Sequence, residues 1–103
     1  METAGTVGKK HKFVYTVSTS TEQGKVVVSI TSYELDRTIT TEGKTLPEAL
    51  LKQKNEWERI IKEERDAYAS LGVASQSELE YFDELRECMT KALFEIAKRI
   101  RGF

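Results

Sequence analysis

The feature that most constrains this fold is a change in the spacing of apolar residues at positions 41–46. Upstream, "KFVYTVST" (12–19) alternates, with Phe13, Tyr15 and Val17 on one face and Val14, Thr16 and Ser18 on the other. "KVVVSITS" (25–32) alternates through Val26, Val28 and Ile30, and "LDRTITT" (35–41) through Leu35 and Ile39. Period-two runs rich in β-branched and aromatic residues read as strands, and "TEQG" supplies turn chemistry between the first two. The expectation is an antiparallel hairpin, or a three-stranded sheet if 35–41 joins it. Downstream, Leu46, Leu50, Trp57, Ile60, Ile61, Ala67, Tyr68 and Leu71 recur at helical spacing, with Gln53 and Glu64 interrupting the stripe. The fold class is therefore α+β, a small sheet at about 12–41 followed by two long helices.

The join, "TTEGKTLPEALLKQKNEWERIIKEER" (40–65), explains itself locally. Gly43 is expected to take a positive φ to leave the strand. Thr45 and Glu48 spell a capping box, and Pro47 fits the first turn, where its missing N–H costs nothing. This helix is expected over 46–70. Gly72 is a suitable C′ residue, and Ser75 with Glu78 spells a second capping box. The second helix, 76–101, carries an apolar seam of Phe82, Leu85, Met89, Leu93, Ile96, Ile100 and Phe103. Acidic residues open it (Glu78, Glu80, Asp83, Glu84) and basic ones close it (Lys98, Arg99, Arg101), as the helix dipole favours. Glu48–Lys52, Glu58–Lys62 and Glu87–Lys91 stand in i,i+4 register. Residues 1–11 show no apolar period and are broken by Ala4, Gly5 and Gly8, which predicts a flexible arm before a single domain at 12–103.

Element lengths raise a question of assembly. Two helices of about 25 residues span roughly 37 Å, whereas strands of about seven residues span roughly 23 Å. Either the helical pair projects past the sheet, or a second copy covers the surplus. The width of the second-helix seam favours a homodimer through Phe82, Met89, Leu93, Ile96 and Ile100. Trp57, Tyr68 and Tyr81 are the candidate contacts for a partner, Trp57 on condition that it is exposed.

Composition narrows the chemistry. Sixteen basic and seventeen acidic side chains leave a net charge of −1, so no global field recruits nucleic acid or anionic lipid. No apolar run approaches the ~18 residues of a membrane span. A single cysteine, Cys88, and a first segment with cations but no apolar core after them predict a reducing, cytoplasmic setting. The lone histidine, His11, falls in the expected arm, which would not hold a base rigidly enough for a catalytic relay. "EGKT" (42–45) has Thr38 where a phosphate-binding loop needs its first glycine, and no Cys/His cluster points to a metal. Cys88 is expected to be buried and inert, and the carboxylates to form solvated faces. No cofactor is implied.

The reading that follows is a non-enzymatic protein-interaction module. A phage or mobile-element inhibitor or regulator that binds a host macromolecule is the origin expected on general frequency. A second reading is a nucleic-acid-binding regulator, using the sheet face and Lys9, Lys10 and Lys12, joined across the hairpin by Lys25 and Arg37. Lys98, Arg99 and Arg101 form another basic footprint. A third is an oligomer that binds a small ligand between subunits.

The span 13–61, two strands followed by "TITTEGKTLPEALLKQKNEWERI", resembles the strand–strand–G-x-T-x-x-E-A-L–helix pattern of HicB-type antitoxins. It is also similar to the sheet and second helix of double-stranded-RNA-binding domains. Gly43, Thr45, Glu48, Ala49 and Leu50 carry both resemblances. Each implies a sheet packed on a helix and no more. A long second helix stands where a HicB-type protein carries its DNA-binding module, and "LPEALLKQK" lacks the clustered lysines of an RNA-binding helix.

Overall fold

Alternation along the first 43 residues builds one sheet strand more than expected. The computed structural model describes residues 2–20, 22–72 and 75–100. Strands β1 (Glu2–Val7), β2 (Phe13–Ser20), β3 (Lys25–Ser32) and β4 (Arg37–Gly43) pair in chain order as an antiparallel meander. Helices α1 (Leu46–Ser70) and α2 (Gln76–Arg99) follow. Residues 2–7 are thus an edge strand in register with β2, from Glu2 opposite Ser18 to Val7 opposite Phe13, and not a flexible arm. The inward positions of β1 are Thr3, Gly5 and Val7, a pattern too poor in apolar residues to announce a strand. At Gly5 a Cβ would stand 2.8 Å from the Tyr15 hydroxyl, so a larger residue there would have to displace that side chain.

The registers place Phe13, Tyr15, Val17, Val26, Val28, Ile30 and Ile39 on one sheet face. Both helices cover that face, and the core is continuous from Val7 through Trp57 to Ile96. The opposite face is Ser/Thr-rich, with Ser29–Thr40 and Thr31–Thr38 hydroxyl pairs at 2.8 Å. Its charges, Glu2, Lys25 and Glu42, lie at its far end.

Both expected caps form. The Thr45 oxygen accepts the Glu48 N–H at 3.3 Å, while the Glu48 carboxylate reaches one residue further back, to the Lys44 N–H at 3.1 Å. Ser75 and Glu78 exchange both bonds of the capping box. Gly72 sits past the end of α1 with φ +74°, as a C′ glycine does. Gly43, by contrast, does not take a positive φ. It is required because the helix start lies so close that a Cβ would stand 2.9 Å from the Ala49 nitrogen.

Gln53, which interrupts the helical stripe in the sequence, is fully buried. Its amide nitrogen donates to the carbonyls of Val28 (2.9 Å) and Ile39 (2.8 Å), and its oxygen accepts the Trp57 indole N–H at 2.8 Å. One side chain therefore ties α1 to two strands and fixes the largest aromatic of the core. Ion pairs on α1 differ in part from the expected set. Glu48–Lys52 forms at 3.9 Å, Lys54 takes Glu58 at 3.7 Å, and Arg59 bridges Glu56 and Glu63.

The seam of α2 is used inside the chain. Met89, Leu93, Ile96 and Ile100 are buried and Phe82 is half-buried, all packed on the common core. The residues expected at a dimer interface therefore pack on α1 and the sheet within one chain, and the helical pair projects past the sheet. Arg37, at the start of β4, meets Glu64 at 3.6 Å, so the last turns of α1 run past the sheet end. The chain measures 51 × 24 × 18 Å along its principal axes. Phe103 and Arg101, assigned to α2 from the sequence, lie outside the described residues.

Candidate functional site

Adjacent residues on a helix point about 100° apart. Ile60 and Ile61 are both buried, but at Leu50-Leu51 and Leu93-Phe94 only the first member of the pair is. Leu50 and Leu93 face the core, while Leu51 and Phe94 are 57% and 65% exposed. The fold brings the two pairs to one place, on opposite walls of a groove of about 320 Å³ between α1 and α2. Pro47 and Ala97 extend its apolar wall, and Lys54 and Thr90 supply its polar lining. No membrane-spanning helix accounts for this exposure: among the described residues no helix is long and apolar enough to cross a bilayer. The sequence reading missed Leu51 and Phe94 because it followed the stripes.

A second assembly lies where the helical pair meets the sheet turns. His11 is almost fully buried rather than mobile. Its Nδ1 lies 2.9 Å from both oxygens of Glu34, in the β3–β4 turn. The Tyr81 hydroxyl donates to the same carboxylate, and the Tyr81 ring stands edge-on to the imidazole at 5.4 Å. Nε2 has no hydrogen-bond partner, and the nearest carboxylate oxygen, on Glu84, is 4.0 Å away. Lys10 holds Glu84 at 2.7 Å. Burial raises the Glu34 carboxyl, but the hydrogen bonds from Tyr81 and His11 outweigh it and bring the group below its ordinary value. Its partner moves the opposite way: burial and the bond to Glu34 push the Tyr81 phenol up to about 12. The bond to Lys10 lowers the Glu84 carboxyl, against a smaller opposing effect of burial. The group as a whole staples the two turns to the first turns of α2. His11 and Cys88 share no hydrogen bond, and no group of three or more metal-ligating side chains forms among the described residues. Cys88 is half-buried beside the core.

The partner candidates separate. Trp57 is fully buried, its ring against Phe13 and its N–H on Gln53, so it presents nothing to a partner. Tyr68 and Tyr81 remain exposed at 39% and 36%, and both rings lie against Phe82, tilted and edge-on respectively, near the tip of the helical pair.

Of the five cations proposed for nucleic acid, Lys9, Lys10, Lys12 and Arg37 lie at one end of the sheet and Lys25 stands apart. Lys25 pairs with Ser20 at the opposite end of the sheet from the turn that carries Lys9, Lys10 and Lys12. Lys10, Lys25 and Arg37 each face a carboxylate, Glu84, Glu42 and Glu64 respectively. The open sheet face offers no cationic track between them. Gly43, Thr45, Glu48, Ala49 and Leu50, which carry the family resemblances, serve here as helix cap and core. Comparison with known protein families, with curated proteins and with solved structures found no match.

Proposed function

We propose that this chain is a non-enzymatic protein-interaction module, an inhibitor or regulator that works in a reducing compartment by occupying a surface of a partner protein. The observation that carries the reading is the paired exposure of Leu51 and Phe94 across one apolar groove. Large apolar side chains converging on a concave patch are the usual anchors of a protein interface, and a groove between two helices suits an apolar side chain or helix from a partner. Tyr68 and Tyr81 extend the contact toward the tip, with the amphipathic character that interfaces favour.

The test compares wild type with Phe94→Glu and Leu51→Glu in capture from native lysate under nuclease, with the oligomeric state read by sedimentation. A monomer that captures one stoichiometric protein, lost in both variants, supports the reading. Capture that disappears with nuclease and is indifferent to Phe94 overturns it in favour of nucleic acid. A homodimer dissociated by Phe94→Glu, with no captured protein, makes a second copy the occupant of the groove.

A further inference from the structure

Two basic stretches far apart in sequence meet in space. Lys9 and Lys10 lie in the β1–β2 turn and Arg99 ends α2, and the Arg99 guanidinium donates to the Thr6 carbonyl at 2.7 Å. Between them is a cleft of about 420 Å³, separate from the apolar groove. Lys9, Lys10, Lys91 and Arg99 line it, with Glu95 the one carboxylate among the lining residues. Lys10 is engaged by Glu84 (2.7 Å) and Arg99 by Glu95 (3.7 Å). Lys9 and Lys91 have no carboxylate within 4.0 Å among the described residues. The cleft therefore holds an excess of positive charge in a chain whose net charge is −1.

The backbone that carries these cations is held in place by packing. Gly8 takes φ +95°, and a Cβ there would stand 2.0 Å from the His11 carbonyl oxygen, so the turn admits only glycine at this point. Buried His11 pins the same turn to Glu34. Lys91 and Arg99 project from the rigid α2. Several cations lining one concave surface concentrate positive potential and attract anions.

We propose that this cleft binds a small multivalent anion of the phosphate class, no larger than a nucleoside phosphate. Its volume falls within the ~300–1,000 Å³ of small-ligand sites. Glu84 on Lys10 and Glu95 on Arg99 limit the unpaired cations to Lys9 and Lys91, which suits a compact anion better than a long polyanion. The proposal is independent of the protein-binding reading.

Pyrophosphate and ATP titrated into the full chain, followed by calorimetry and amide chemical shifts, test it. The expected result is saturable 1:1 binding, with shifts centred on residues 8–10 and 88–99. Lys91→Gln and Lys9→Gln should each weaken it tenfold or more, and Lys62→Gln, which removes the same charge from the α1–α2 furrow, should leave it unchanged. Absence of saturation, or equal weakening by Lys62→Gln, overturns the proposal. So does tighter binding of a twelve-nucleotide single strand with shifts spreading beyond the cleft, which would indicate a polymer site.

Discussion

Gln53 shows how a single side chain can mislead a reading of periodicity. In the sequence it is a polar break in an apolar stripe; in the fold it donates to two strand carbonyls and accepts an indole N–H that would otherwise be buried without a partner. Helical spacing reports where a residue points, not whether a polar group waits there, so this role was not legible. Gln53→Leu should lower stability by about 1–3 kcal/mol by stranding the Trp57 N–H; an unchanged urea midpoint would remove the clamp from the account. His11 was misplaced for a related reason, since its partners Glu34 and Tyr81 are distant in sequence and carry no motif. Its surroundings make the protein pH-sensitive at both extremes. Glu34 and Glu84 have folded-state values below the ordinary 4.5. Their contribution is present above that value and is lost as pH falls through the lower, folded-state one. Glu34→Gln should accordingly flatten the acid limb of the stability profile. Tyr81 has a raised value, so its contribution holds below pH 10 and is lost as pH climbs toward about 12. An ultraviolet titration should show one phenol ionising last, and Tyr81→Phe should remove it.

Among the elements, those with strong local signals were readable and the one held by tertiary pairing was not. The β2–β3 hairpin and α1 fall where alternation and capping put them, and the 35–41 run reappears as β4 over Arg37–Gly43. β1 escaped because Thr, Gly and a single Val make its inner face, and pairing to β2 supplies what propensity does not. Deleting residues 2–7 should therefore lower the unfolding midpoint and expose Tyr15 to solvent. A truncated chain as stable as the parent would return this segment to a dispensable arm. At the start of α1 the cap was legible but the glycine was misread, because close approach of two backbones leaves no mark in a sequence. Thr45→Ala should cost about 1 kcal/mol. Gly43→Ala should cost more, since the obstructing atom belongs to the helix backbone.

For the molecule as a whole, element lengths left a surplus of helix over sheet, which α2 fills in part by packing within the chain. The mismatch is met by a projecting helical pair, and the seam expected between copies lies inside one chain. Leu93→Ala or Ile96→Ala should cost about 2–5 kcal/mol at any protein concentration, as core truncations do. A cost that grows on dilution would return the seam to a subunit interface. The apolar groove was half legible: Leu93 was named as an interface residue, whereas Phe94 beside it, the more exposed of the two, was not. The Arg99–Thr6 bond spans 93 residues, and α2 covers core residues of the first strands. On a ribosome adding about 5–20 residues per second, β1 and β2 emerge roughly 5–20 s before the helix that completes their cover. Throughout that interval α1 is the one helix available to cover the sheet, through Trp57 on Phe13 and Gln53 on β3 and β4. A nascent chain stalled before residue 76 should therefore engage holding chaperones through the apolar surface that α2 later covers, and release them only as α2 folds down.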